Sequence, residues 1–132
     1  MILVDSSILI SYLKGDNNPP YNKLDEIINN GFSYGISKHI YLELLQGAKN
    51  NKEYEILKYY LDDLPFYELK YGRQSYENAA KIYIKCRQAG ITIKSTIDLI
   101  ITQTAIENKV SLFHNDKDFT NIAEVITDLK IF

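Results

Sequence analysis

Five acidic residues stand where a chain of alternating strands and helices could gather them: Asp5, Glu43, Asp98, Asp116 and Asp118. Asp5 directly follows the apolar run Ile2-Leu3-Val4. Asp116 closely follows Val110-Ser111-Leu112-Phe113, with Asp118 two residues on. Carboxylates crowded together repel, and the repulsion raises their pKa values. A divalent cation relieves it. Oxygen donors with no cysteine or histidine among them favour a hard ion, Mg²⁺ or Mn²⁺. The only histidines are His39 and His114. His114 precedes Asn115-Asp116, but a lone histidine is more often structural. The chain has no Gly-rich phosphate loop and no evident Ser-His-Asp set.

Each acid also has a simpler reading. Asp, Ser and Asn are the usual caps where a strand turns into a helix, so Asp5-Ser6-Ser7 and Asn115-Asp116 fit capping. Ser95-Thr96-Ile97-Asp98 fits the capping-box pattern, in which Asp98 would bond back to the helix start. Against capping alone stands the helix itself. Ile97, Leu99, Ile100, Ile101, Ala105 and Ile106 cover most of its surface, so it should be largely buried. Asp98 lies on a stripe with Ile101, Thr102 and Ala105, and a buried carboxylate is costly unless paired, hydrogen-bonded or bound to metal. Glu43 borders the Ile40, Leu44, Leu45, Ala48 face of its own helix, beside Gly47. A solvent-facing glutamate is the ordinary expectation there.

The elements that would position these acids are short. Strands are expected at Ile2–Val4, Phe32–Ile36, Pro65–Leu69, Val110–Phe113 and Leu129–Phe132. Helices are expected at Ser7–Lys14, Tyr21–Asn30, Lys38–Ala48 with Ser37 as cap, Glu53–Asp62, Tyr76–Ala89 and Thr96–Asn108. Gly15 to Pro20 reads as a loop. The alternation implies an α/β sandwich around a parallel sheet, in which ligands bind beyond the carboxyl ends of the strands. The first and fourth strands should be neighbours, so that Asp5 and Asp116 converge.

The chain has 132 residues, 45% hydrophobic and 24% charged, which fits one globular domain with a core of its own. One cysteine, Cys86, excludes an internal disulfide or a cysteine-based zinc site and fits a reducing, cytoplasmic setting. The apolar N-terminus is interrupted by Asp5 and has no basic segment before it, so it does not read as a signal peptide. No apolar run is long enough to span a bilayer. A net charge of −2 argues against a general nucleic-acid coat protein. It leaves room for an enzyme that meets phosphates through metal.

Four stretches resemble the motifs of the PIN-domain ribonucleases. They are Met1-Ile2-Leu3-Val4-Asp5-Ser6-Ser7; Ile40-Tyr41-Leu42-Glu43-Leu44-Leu45-Gln46-Gly47-Ala48; Arg87-Gln88-Ala89-Gly90 with Ser95-Thr96-Ile97-Asp98-Leu99-Ile100-Ile101; and Leu112-Phe113-His114-Asn115-Asp116-Lys117-Asp118-Phe119. Their order and spacing cover essentially the whole chain, and its compactness is similar to VapC-like toxins of VapBC toxin–antitoxin pairs. The resemblance implies a PIN-like three-layer α/β/α sandwich with a central, mostly parallel sheet, as a single domain over residues 1–132. It implies Mg²⁺- or Mn²⁺-dependent cleavage of RNA to 5′-phosphate and 3′-hydroxyl ends, a homodimer and a cognate VapB-like antitoxin. Carried over by residue, Asp5, Glu43, Asp98 and Asp116 match the catalytic and metal-holding acids, Asp118 an auxiliary ligand, and Ser7 a small polar position that helps order the site. Only Arg73 and Arg87 supply arginine, so Lys14, Lys38, Lys94 and Lys117 become candidates for RNA contact.

The segment Ile40–Leu64 is rich in Tyr41, Leu42, Leu45, Tyr54, Leu57, Tyr59, Tyr60 and Leu61, which cannot all face one core. Some should line an apolar groove for the antitoxin, or else complete the core or a dimer contact. Three other readings compete: a PIN nuclease outside toxin–antitoxin systems, processing ribosomal RNA for instance, a non-enzymatic α/β module, and a PIN scaffold acting only through protein contacts. A receiver-like module would place adjacent acids after its first strand, where this chain has Ser6-Ser7. A PIN scaffold acting only through protein contacts would be expected to lose carboxylates that are all present here.

Overall fold

The computed structural model describes residues 1–13 and 19–132. Its elements are β1 (Ile2–Val4), α1 (Ser6–Leu13), α2 (Pro19–Asn29), β2 (Tyr34–Gly35), α3 (Lys38–Gln46), α4 (Asn51–Asp62), α5 (Arg73–Gln88), α6 (Thr96–Asn108), β3 (Ser111–Phe113) and α7 (Lys117–Val125). The sheet runs β2-β1-β3 and is parallel throughout. Ile2, Leu3 and Val4 face Ser111, Leu112 and Phe113, so the first and fourth expected strands are neighbours.

β1 is buried at every residue, as a central parallel strand covered on both faces must be. The helices pack in two groups, α1 to α4 and α5 to α7, and α6 of the second group packs on β3. Leu3, Val4, Ile8, Leu9, Ile36, Leu112 and Ile122 have no exposed surface. Burying a side chain of this size contributes on the order of 1.5–3 kcal/mol. α6 buries Leu99, Ile101, Thr102, Gln103, Thr104 and Ala105 and so is enclosed almost all round, as its sequence requires.

Two expected strands shrink to single bridges, Ile36 with Phe66 and Leu112 with Ile131. Pro65 has no N–H to give a ladder, which limits the first of these. Phe32 is 62% exposed and outside β2, so that strand too is shorter than expected. α2 begins at Pro19, two residues before the expected start, with proline in the first turn where its missing N–H costs nothing. α7 was not among the expected helices, although a capping role for Asp116 implies it. It holds on through Phe119 and Ile122, three apart on one face and buried. Lys14 and the loop expected from Gly15 lie outside the described residues up to Asn18.

Candidate metal centre

Asp5 directly follows β1, and its backbone N–H donates to Phe113 O at 2.9 Å, joining the carboxyl ends of β1 and β3. Its carboxylate accepts from Ser7 N at 3.2 Å and from Ser7 Oγ at 2.7 Å. Ser7 Oγ in turn accepts from Asn115 N at 3.2 Å. One hydroxyl therefore fixes Asp5 and ties it to the loop after β3. Burial raises the Asp5 pKa, the Ser7 and Ser6 hydrogen bonds oppose that, and Glu43 adds to it.

Glu43 is half-buried on α3, which starts from a sound cap: Ser37 Oγ accepts from Ile40 N. Its Oε2 accepts from Ser6 Oγ at 2.6 Å. The sequence reading named Ser7 and passed over Ser6. The only local signal was a second hydroxyl at the helix start.

Asp116 caps α7, accepting from Asp118 N at 2.9 Å, so the capping reading is correct for this residue. Its own N–H donates to His114 Nδ1 at 3.0 Å. That contact leaves the imidazole proton on Nε2. Burial lowers the His114 pKa despite Asp5 and Asp116 nearby, and its ring rests 5.3 Å from that of Phe119.

Asp98 differs from Asp116. Ser95 Oγ caps α6 by accepting from Ile97 N at 3.2 Å, and among the described residues the Asp98 carboxylate accepts no hydrogen bond. Oxygens of Asp98, Asp116 and Asp118 lie within 4.8 Å of one another. Burial pushes the Asp98 pKa up to about 7, reinforced in turn by Asp116, Asp5, Asp118 and Glu43. The five acids therefore act as one electrostatic cluster. Among the described residues no Lys or Arg forms an ion pair with any of them. A half-buried, all-oxygen, cation-free set of this kind suits a hard divalent ion.

Beside the cluster an apolar groove of about 560 Å³ runs between α1, α3 and α4, lined by Ile10, Leu13, Leu44, Ile56, Leu57 and Tyr60, with Glu43 and Gly47 also on its wall. The expected groove thus exists, with different walls. Leu42 and Tyr59 are exposed outside it, Leu61 is fully buried in the core, and α1 supplies one side. Of the candidate cations, Lys38 is paired with Glu68, and Lys94 and Lys117 are exposed.

The PIN-domain family model matches residues 2–125. The chain belongs to the PIN-domain family. This PIN domain is 26% identical over 126 residues to the VapC ribonuclease Mb1587 of Mycobacterium bovis, covering 95% of this chain and 93% of that protein. Ribonuclease VapC11 of Mycobacterium tuberculosis matches to the same extent. Among solved structures, VapBC2 from Rickettsia felis bound to a promoter DNA fragment superposes with a TM-score of 0.76 at 22% identity, over 100% of this chain and 98% of that one. VapBC-1 from nontypeable Haemophilus influenzae gives 0.74 at 24% identity, over 100% and 97%. These superpositions establish the PIN fold, an α/β sandwich on a parallel sheet, as the resemblance implied. No helix among the described residues is long and apolar enough to cross a membrane.

Proposed function

We propose that this PIN domain is a Mg²⁺- or Mn²⁺-dependent endoribonuclease, the toxin of a VapBC-like toxin–antitoxin pair. The observation that carries the reading is the convergence of Asp98, Asp116 and Asp118 oxygens within 4.8 Å, with Asp5 and Glu43 bearing on the same point and no cation paired to them among the described residues. The similarity to VapC ribonucleases along nearly the whole chain supports the choice of RNA as substrate.

Asp98, Asp116 and Asp118 would hold the ion, with Asp5 as a further ligand pre-set by Ser7. When bound, the ion supplies Lewis acidity, lowering the pKa of water and offsetting charge on a phosphate. Glu43 is held at Oε2 by Ser6, which leaves Oε1 to orient the attacking water and take up its proton. Capping fixes the Asp116 carboxylate before any substrate arrives, so little reorganisation is needed at the moment of reaction. An RNA strand crossing the carboxyl edge of the sheet would meet these groups in line.

The apolar groove favours the toxin over a stand-alone processing nuclease. Ile10, Leu13 and Ile56 are each more than 40% exposed on its rim. Such a surface is the kind that an amphipathic helix from an antitoxin covers. Glu43 on its wall would place a basic side chain of that helix at the edge of the acidic cluster. As in VapC-like toxins, we expect a cytoplasmic homodimer.

The test is cleavage of single-stranded RNA by purified protein with Mg²⁺, with Mn²⁺ and with EDTA. Cleavage with either ion, its loss in EDTA and its loss in Asp98→Asn would support the reading. Cleavage that persists in EDTA and in the variant would remove it.

A further inference from the structure

The turn from β3 into α7, His114-Asn115-Asp116, brings two acids to Asp98: Asp116 ends the turn and Asp118 stands in the first turn of α7. Side chains hold the backbone N–H groups here. Asn115 N donates to Ser7 Oγ at 3.2 Å, Asp116 N to His114 Nδ1 at 3.0 Å, and Asp118 N to Asp116 Oδ1 at 2.9 Å. Asp116 is therefore fixed twice. The bond from Asp118 N sets its carboxylate against α7. The bond to the imidazole sets the backbone from which that carboxylate springs.

His114 is itself anchored. Its ring rests 5.3 Å from the ring of Phe119, inclined at 57°. Phe119 is 1% exposed and is one of the two residues that seat α7 in the core. The imidazole thus spans the turn, from the Asp116 N–H to the buried anchor of the helix. Asp116 and Asp118 both fall within that span.

The bond from Asp116 N to His114 contributes little to stability. Asp116 is exposed, so water could accept from its N–H as readily as Nδ1 does. Water would not hold that N–H in one direction. Direction matters here, because oxygens of Asp98, Asp116 and Asp118 are already gathered within 4.8 Å of one another. Groups that orient metal-holding carboxylates commonly carry about tenfold or more in affinity.

Building on the metal-centre reading above, we propose that His114 is a positioning residue: its Nδ1 holds the Asp116 backbone so that the Asp116 and Asp118 carboxylates stand ready beside Asp98. In this role the imidazole acts through Asp116 and touches neither ion nor RNA. The acceptor at Nδ1 is the part that counts, and the ring seats it. Asparagine offers an equivalent acceptor. Its Oδ1 is as many bonds from Cα as Nδ1 is, and it commonly accepts from the N–H two residues on.

The experiment compares wild type, His114→Asn and His114→Phe. Mn²⁺ affinity is read from the free-ion electron paramagnetic resonance signal, stability from urea midpoints, and cleavage on single-stranded RNA. His114→Phe keeps a ring against Phe119 and removes the acceptor. Its urea midpoint should stay close to that of the wild type, while Mn²⁺ binding weakens by roughly tenfold or more. Cleavage should slow at limiting Mn²⁺ and recover when the ion saturates. His114→Asn should restore most of the affinity. In metal-free protein with ¹⁵N-labelled histidine, His39→Gln leaves His114 as the only histidine, and its proton should sit on Nε2 with none on Nδ1. A proton on Nδ1, equal affinity in wild type and His114→Phe, or a loss that asparagine does not restore would each overturn the proposal. Unchanged affinity with cleavage lost in both variants would make His114 a substrate contact, and would overturn it too. If wild type binds Mn²⁺, His114→Phe binds it weakly and neither cleaves RNA, the positioning role stands and the nuclease reading falls.

Discussion

Ser6 Oγ lies 2.6 Å from Glu43 Oε2, joining residues 37 apart in the chain. Ser6 is 7% exposed, so this hydrogen bond is shielded from competing water. It aims the glutamate across the space between α1 and α3. Ser6→Ala should leave Glu43 mobile, slowing RNA cleavage by roughly tenfold or more, as lost support for a metal-site residue usually does. The stability cost should be about 1–2 kcal/mol, from denaturant midpoints. If Glu43 acts through this contact, Ser6→Ala should add nothing to Glu43→Gln. Additive losses would show that Ser6 works elsewhere.

Asp98 gives the centre a pH signature. Its pKa rises from an ordinary 3.8 to about 7 in the folded protein. The folded state therefore holds a proton that the unfolded state releases. The stability this proton contributes is fully present below about pH 3.8 and lost as pH rises through about 7. Metal-free wild type should lose stability relative to Asp98→Asn between pH 5 and pH 8, from about two units below the upper transition to about one above it. Mg²⁺ should restore the wild type at the higher pH and do little for the variant. Parallel urea midpoints for both proteins across that range would contradict the coupling.

Ile56 tests the groove without disturbing the core, since it is 64% exposed on the rim. Ile56→Lys should leave the fold and RNA cleavage unchanged and weaken antitoxin binding by roughly tenfold or more, as expected where an apolar anchor is lost. In cells, growth arrest by this variant should resist rescue by co-expressed antitoxin, whereas Asp5→Ala should cause no arrest. Unchanged affinity by titration calorimetry would place the antitoxin on another face.

Gly35 is fixed by contact rather than by backbone conformation. A Cβ added there would stand 2.5 Å from Pro65 O and 2.8 Å from Tyr67 Cε2. Gly35→Ala should cost about 1–3 kcal/mol as overpacking, read from thermal or urea unfolding. The backbone oxygen of Pro65 cannot swing aside, but the Tyr67 ring can move. A variant as stable as the wild type would mean that β2 and the Pro65–Tyr67 segment separate easily.

Asp5, Asp98, Asp116 and Asp118 were legible in the sequence because each sits at a strand end or a helix start, where local pattern speaks clearly, whereas Glu43 lies midway along α3. Asp98 stood out because a polar residue on an enclosed helix demands a reason. What pairs with each acid was not legible, since Ser6 with Glu43 and Ser7 with Asn115 are contacts between distant segments. The flanking strands were over-read because apolar stretches such as Leu129–Phe132 resemble strands whether or not a ladder forms. α7 was missed for the opposite reason. Its inner face rests on Phe119 and Ile122, too few apolar positions to set a helical period.

The Ser7 hydroxyl donates to Asp5 and accepts from the backbone N–H of Asn115, 108 positions further along the chain. That span sets an order of events during synthesis. β1 leaves the ribosome first but must wait for β3 before its central position is closed on both sides. The last acid of the cluster, Asp118, follows later still. Contacts between such distant segments form late, since the loop they close is long. A growing chain therefore carries no complete acidic cluster until nearly all of this sequence has emerged. On the nuclease reading, the ribosome that makes the protein would be spared its chemistry while the making is under way, and on the toxin reading an antitoxin already present would meet the groove as the last helices close.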